Sequence, residues 1–414
     1  MSKSRRNLTL VFVSFCVGML FFIPYIRFSF YDQTLSVFGI NHTQMGLLGS
    51  AYGAVAIAGY FVSGLLANRF EPKKLIALSC FATGIITVWL ALIPSFTQMV
   101  VIYVLYSIFT IATLWSPYLV IIRELGSDSE QGRLFGLSDS MRNVFSAIAG
   151  FAFVYIFSLF ANESAGYKGM LYVSVGLYAI FGILSLVIIP KFHTGDASKG
   201  KTDLEKEKED KVSLKDSFKI PGVWLMGIFI FACYSAIITQ TNYLGTFTTI
   251  VLGFDESVSS ALAVTRNYLI PIFAGIVGGF LVDKAKSRVH AFIVLLAVMA
   301  AVCVAILFTR ETPAVCNILT MCLSAVAMMI LATYWSIMPD CGIPERNTAV
   351  ATGIVSCICY LPDAFITIII GRWIDADLFG GFTKMFIWMI VWVIVAIAVA
   401  AVILIRNAKV KKQA

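Results

Sequence analysis

Runs of about 20 apolar residues recur from one end of the chain to the other, each long enough to cross a hydrocarbon core of about 30 Å at 1.5 Å per residue. The runs are continuous rather than alternating, which predicts α-helices and argues against a β-barrel. Twelve spans are expected, at 8–31, 44–68, 74–94, 97–122, 132–160, 167–190, 223–250, 257–282, 289–308, 315–338, 348–371 and 382–406. Between spans six and seven, "KFHTGDASKGKTDLEKEKEDKVSLKDSFKIPG" is charge-mixed and nearly free of large apolar residues, as a solvated linker would be. The expected organisation is a six-helix bundle over 1–190, a linker over 191–222 and a second bundle over 223–414. The opening "MSKSRRNLTLVFVSFCVGMLFF" has too long a core for a cleaved signal and reads as the first retained span.

The two halves repeat. "GLLANRFEPKK" (64–74) follows span two and "GFLVDKAKSR" (279–288) follows span eight, so that Gly64 pairs with Gly279, Asn68 with Asp283 and Arg69 with Lys284 at a constant offset. "FGINHT" and "LGFDES" align upstream, and "LWSP" (114–117) returns as "YWSI" (334–337). Each repeat holds six spans, so both halves have the same orientation. This parallel-repeat arrangement belongs to a large transporter class, with the substrate site near the bilayer midplane.

Composition agrees: 59% of the 414 residues are hydrophobic and 13% charged, too little charge for a soluble surface. The net charge of +8 is not a nucleic-acid footprint. With the N-terminus inside, the outer loops hold only Lys168, Arg310, Arg372 and Lys384, and Arg27, Arg142 and Arg266 lie within spans. Every other one of the 31 lysines and arginines falls on the cytoplasmic side, which predicts both termini there. The nine cysteines read as small buried hydrophobes. No phosphate-binding loop, metal-ligand spacing or nucleophile triad is present, so neither an enzyme nor a cofactor is expected. "NHT" (41–43) and "NES" (162–164) are sequons on outer loops.

The chemistry must therefore sit in the few polar groups that the spans carry, because an ionisable residue at a helix centre costs about 2.5 to 3.5 kcal/mol on insertion scales. In "GLSDSMRNVFSAIAG" (136–150), Arg142 lies about 15 Å into span five, with Asp139 three residues earlier on the same face. Such a pair either satisfies only itself or forms a proton-and-anion site, in which an anion that occupies the arginine frees the carboxylate to protonate. Arg27 follows Pro24 in span one, where a kink should free a carbonyl. Arg266 lies about 13 Å deep in span eight, and Asp363 sits deep in span eleven. Tyr25, Tyr52, Trp115, Tyr118, Gln240, Asn242, Tyr243, Asn267 and Trp335 supply a candidate polar and aromatic lining.

"GLLANRFEPKK" resembles the loop motif G-x-L-A-D-R-x-G-R-K of the major facilitator superfamily, "EQGRLFG" (130–136) resembles its loop between spans four and five, and "GRWIDADLFGGFTKMF" (371–386) looks like its span-eleven exit. The likeness covers the whole chain. It implies an all-α fold of twelve transmembrane helices in two pseudo-symmetric six-helix halves, working as a monomer in a bacterial inner membrane. "FIPYIRFSFYDQ" and "QGRLFGLSDSMRN" look most like bacterial permeases labelled nitrate/nitrite-type or sugar-acid-type. The resemblance implies a conformational latch at Gly64, Asn68, Arg69, Asp283, Lys284, Glu130 and Arg133. Asn68, Glu71 and Pro72 depart from the motif and should weaken its first copy. Nitrate porters carry an arginine in span two. "MGLLGSAYGAVAIAGYFVSGLLA" has none, which argues against nitrate as substrate. In that fold spans two, five, eight and eleven are symmetry mates, so Arg266 and Asp363 are expected to mirror Asp139 and Arg142.

The expected function is secondary active transport of a small organic anion by alternating access, with a co-transported proton (or sodium). Arg142, Arg266 and Arg27 would bind the substrate, and Asp139 or Asp363 would carry the proton. The competing expectation is the same fold moving a neutral or cationic solute, with the intramembrane charges structural. A membrane sensor would need an appended signalling domain.

Overall fold

The computed structural model describes residues 2–127, 130–192, 217–344 and 348–413, with backbone alone at 68, 131, 132, 348–350 and 409–413. The expected linker therefore falls mainly on 193–216, outside the described residues. Among the described residues twelve helices are long and apolar enough to cross a membrane, matching the twelve runs in the sequence.

Several spans are not single α-helices. The span-one helix Lys3–Phe22 stops short of the expected 31. A 3₁₀ turn, Ile26–Phe28, and a short helix, Tyr31–Phe38, follow. Pro24 has no N–H to continue the ladder, and its freed carbonyl accepts a hydrogen bond from Arg27 Nη1 at 3.1 Å. Span four is broken by a π-helical turn at Ile108–Ala112 and span eight by another at Thr265–Leu269. Span ten ends in the 3₁₀ segment Tyr334–Cys341, and span eleven is interrupted by Leu361–Ala364. Backbone groups released inside a membrane need partners. In span four, Ser63 of span two accepts from the Ser116 N–H at 2.9 Å. Span five is one uninterrupted helix, Gln131–Ser158.

The chain forms two compact units. The first is Met1–Gly200 with Asp255–Leu269, and the second is Lys201–Phe254 with Ile270–Ala414. In the first, span one packs along span five, span two along span four, and span three along span six. In the second, span seven packs along span eleven, the C-terminal part of span eight along span ten, and span nine along span twelve. Each pairing in one unit has its counterpart six spans later in the other, so the sequence repeat is also a packing repeat.

The loop copies "FGINHT" and "LGFDES" show why their residues recur. Gly39 and Gly253 both take the left-handed conformation, at φ 60° and 70°, where a Cβ would be strained. Two residues later an Asx side chain caps the next helix. Asn41 Oδ1 accepts from the Gln44 N–H at 2.8 Å, and Asp255 Oδ1 from the Ser257 N–H at 2.8 Å. Both sequon asparagines are such caps, since Asn162 Oδ1 accepts from the Ala165 N–H at 3.0 Å.

Candidate functional site

A cavity of about 250 Å³ opens inside the first unit. Span one supplies Gly18, Phe21 and Phe22, and the turn after it supplies Tyr25 and Phe28. Tyr60 comes from span two, Trp115 from the helix restarted after the π turn of span four, and Tyr268 from the π turn of span eight. Span five adds Arg142, Asn143 and Ser146 at successive positions of one helix face. The cavity is thus mainly aromatic, three of its rings being tyrosines, with a guanidinium, an amide and a serine hydroxyl added by span five. Wide and tight helical turns at membrane depth commonly mark functional positions. Here they deliver Tyr25, Phe28 and Tyr268, and the helix that resumes after one of them begins at Trp115.

Arg142 Nη2 donates to Asp139 Oδ1, and Asn143 Nδ2 donates to Asp139 Oδ2 at 3.3 Å. The pair expected from the i, i+3 spacing is therefore formed. The Asp139 side chain is 57% exposed and that of Arg142 27%. A guanidinium has five N–H donors, so an anion can reach Arg142 before its bond to Asp139 breaks.

The crossing of spans one and five sets the position of Arg142. A Cβ on Gly18 would lie 2.9 Å from the Arg142 carbonyl oxygen and 3.3 Å from Ser146 Oγ. A larger residue at 18 must push the two helices apart. Gly18→Val should lower thermal stability by about 1 to 3 kcal/mol, the usual range for overpacking, and should weaken ligand binding in the protein that still folds. Thermal unfolding and equilibrium binding on the purified variant check both.

Of the other residues singled out in the sequence, Tyr25 and Trp115 line the cavity and Tyr52, Tyr118, Arg27 and Asn267 stand behind it. Tyr52 hydrogen-bonds Thr110 at 2.7 Å and meets the Tyr25 ring edge-on at 5.0 Å. Tyr118 hydrogen-bonds Ser138 at 2.8 Å, and Ser138 hydrogen-bonds Ser14 at 2.6 Å. Arg27 is buried. Its guanidinium lies over the Tyr25 and Phe28 rings at 5.2 and 4.9 Å, and Gly49 leaves it room. Asn267 Nδ2 donates to the Phe28 carbonyl at 2.8 Å. Arg27 and Asn267 thus satisfy carbonyls freed by the break in span one and hold two of the cavity's rings. Arg266 is fully buried in the first unit.

The remaining candidates lie in the second unit. Gln240 Oε1 accepts from Ser324 at 2.9 Å, Asn242 Nδ2 donates to the Ile238 carbonyl at 2.8 Å, and the Tyr243 hydroxyl donates to the Thr367 carbonyl at 2.5 Å. Trp335 packs on Tyr334. Asp363, in the 3₁₀ break of span eleven, accepts from the Tyr234 hydroxyl at 3.0 and 3.2 Å. Asp363 thus belongs to the second unit and Arg266 to the first.

Among the latch residues, Gly64 has open space beside it, and Arg69, Arg133, Asp283 and Lys284 are exposed. The Asn68 side chain lies outside the described residues. Among the described residues no ion pair involves Arg69, Arg133, Asp283 or Lys284. Lys284 Nζ instead sits over the Phe280 ring at 4.3 Å. Glu130 does form a tie, accepting from Arg6 Nη1 at 3.2 Å and from the Ser127 N–H at 3.3 Å. The Ser127 backbone bond, and after it the Arg6 charge, hold the Glu130 carboxyl below its ordinary value of 4.5. A lowered folded value means that the tie is complete above the ordinary value and is lost as pH falls through the lowered one. The contribution is small for so exposed a group. Glu130→Gln should therefore lower the neutral plateau of thermal stability slightly and flatten the acid limb, the two proteins converging at low pH, as a melting series across that range will show.

A family model described as the Major Facilitator Superfamily matches residues 8–367. The inner membrane protein YqcE of Escherichia coli (strain K12) is 27% identical over 380 residues, covering 90% of this chain and 88% of its own. The inner membrane protein YihN of the same strain is 22% identical over 373 residues, covering 88% and 87%. A probable hexose phosphate transport protein of Chlamydia pneumoniae is 26% identical over 203 residues, 48% of this chain and 42% of its own. Among solved structures, a bacterial homolog of the human lysosomal transporter Spinster, inward-facing and unoccupied, matches with a TM-score of 0.76 at 16% identity over 97% of this chain and 98% of that one. A D-xylose-proton symporter matches at 0.70 and 15% identity over 95% and 96%. At such identities the structures bear on the fold alone. The family match over nearly the whole chain, the twelve spans and the repeated packing lead to one conclusion: the chain belongs to the Major Facilitator Superfamily and is a multi-pass secondary transporter of that type.

Proposed function

We propose that the chain carries a small organic anion, moved together with a proton by alternating access of its two six-helix halves. The observation that carries this reading is Arg142 in the wall of an otherwise aromatic cavity, with its side chain tied to an exposed carboxylate one helical turn away. An ionised side chain is expensive at membrane depth unless it is paired or faces water; Arg142 is paired with Asp139 and lines the open cavity. An incoming acid group competes with Asp139 for the guanidinium through the same charge-assisted hydrogen bonds. The displaced carboxylate, now without its cation, takes up a proton. Anion and proton then cross together with no net change in the charge of the site.

The hexose phosphate named for the Chlamydia pneumoniae relative is itself an organic anion, which supports the reading. The distribution of Lys and Arg supports both termini on the cytoplasmic side, with residues 191–222 as the linker between halves. A single chain suffices for the cavity, in keeping with a monomer. Arg27 serves this reading as a brace for Tyr25 and Phe28 rather than as a substrate ligand.

Aromatic walls also attract cations, but a guanidinium in the same wall repels them, which disfavours a cationic solute. Uptake into proteoliposomes of labelled carboxylates and sugar acids, neutral sugars and organic cations, with acid outside or no gradient, separates these cases. Anion accumulation that grows with the gradient is expected. Uptake of only neutral or cationic solutes, unchanged by substitution of Arg142, overturns the proposal.

A further inference from the structure

The cavity is more selective than a generic anion site. We infer that its substrate is a cyclic monoanion, a single aromatic or pyranose ring bearing one acid group, with the ring against the aromatic wall and the acid group on Arg142. The inference rests on the anion reading and sharpens it.

Three observations carry it. First, seven of the eleven lining residues are aromatic, and a wall of ring faces rewards a flat partner more than a flexible chain. Trp115 stands at its centre, held by Phe21 at 6.2 Å, Tyr60 at 5.9 Å and Tyr118 at 6.0 Å between ring centroids. A wall so braced is ordered before the ligand arrives, so little entropy is lost on stacking. Secondly, the cavity of about 250 Å³ holds far more than a single small ion. It accommodates one substituted six-membered ring, whereas nitrate leaves most of it empty. Thirdly, Arg142 is the only charged group in the lining among the described residues. One acid group exchanges with Asp139 charge for charge. The second charge of a dianion would face ring surfaces that are themselves negative.

Asn143 and Ser146 lie one residue and one turn beyond Arg142, placed to hydrogen-bond substituents on the ring. They favour a hydroxylated ring over a bare aryl one, so the experiment must separate the two sources of a ring face.

Isothermal titration of the purified full-length protein with benzoate, glucuronate, methyl glucoside, succinate and nitrate tests the inference. Benzoate or glucuronate is expected to bind at least about tenfold more tightly than succinate or nitrate, and Trp115→Ala to cost that cyclic ligand about tenfold, the scale of one lost stacking contact. Trp115→Phe should restore most of the loss, and the weak binding of succinate should not change. Tighter binding of glucuronate than of benzoate identifies a pyranose substrate, and the reverse order an aryl one. Should Trp115→Ala fail to fold, the wild-type order of affinities decides alone. Succinate or nitrate binding as tightly as both cyclic acids, or neither cyclic acid binding at millimolar concentration, overturns the inference. If Arg142→Gln then still abolishes anion binding, the anion reading survives that failure. Methyl glucoside binding as tightly as glucuronate, with no effect of Arg142→Gln, overturns both.

Discussion

Arg142→Gln will reduce kcat/KM for the transported anion by about 30- to 100-fold while leaving the protein folded. Truncating one partner of a hydrogen-bonded charge pair costs about 2 to 5 kcal/mol, and each 1.4 kcal/mol is about tenfold. The lower part of that range is expected because the Arg142 side chain keeps 27% of its exposure and water can partly replace it. Folding should survive for the same reason: Asp139, left behind, is more than half exposed and is not stranded in a dry interior. Arg142→Lys keeps the charge but loses the planar fork that receives a carboxylate through two parallel bonds, so it should recover only part of the activity. Arg27→Gln provides the contrast. Arg27 holds the Pro24 carbonyl and lies over two of the cavity's rings, so its loss should lower thermal stability and blur selectivity without removing the charge that the anion meets. Initial uptake rates with melting temperatures for the three variants check the set. Normal saturable uptake by Arg142→Gln would refute the assignment.

Much of this architecture is legible in the sequence, because membrane spans announce themselves by continuous hydropathy and the repeat by residues at a constant offset. The breaks within spans are only partly so. Pro24 signals the one in span one, since a missing N–H is a local property. The π turns at Ile108–Ala112 and Thr265–Leu269 leave no comparable mark. In a helix that is apolar on every side, one extra residue in a turn shifts no amphipathic pattern. The same uniformity hides Phe21, Phe22, Phe28 and Tyr60, which resemble any ring in a lipid-facing or interfacial belt until packing turns them to one cavity. Asn143 and Ser146 were within reach, at one and four residues from Arg142 on a continuous helix. For Arg27 the sequence gives depth but not partners: a buried guanidinium can hold a substrate or a freed carbonyl, and the carbonyl it meets becomes visible only in the fold of the Pro24 turn. Asp363 is legible as a deep carboxylate, whereas its donor Tyr234 lies 129 residues away and is joined to it only by the packing of spans seven and eleven.

Asp139→Asn will separate coupling from binding. In the resting site Asp139 accepts from Arg142 and Asn143, and an asparagine can still accept one of these bonds, so the guanidinium should keep its place. What the amide cannot do is gain a proton when the anion takes Arg142. The sign follows. In the wild type, acid outside loads Asp139 on the side from which substrate enters, so accumulation rises as outside pH falls. One proton per anion permits about tenfold accumulation per unit of pH difference, since that unit is worth about 1.36 kcal/mol. With Asn the gradient has no group to act on. Accumulation should fall to passive equilibration, while exchange of external for preloaded internal substrate continues and the pH dependence of KM disappears. Paired measurements of gradient-driven uptake and counterflow distinguish this from a merely damaged site, which loses both. The competing carrier is Asp363, whose carboxylate is met by the Tyr234 hydroxyl. If Asp139→Asn accumulates substrate normally and Asp363→Asn does not, the proton travels there, and the Asp139–Arg142 pair serves the anion alone.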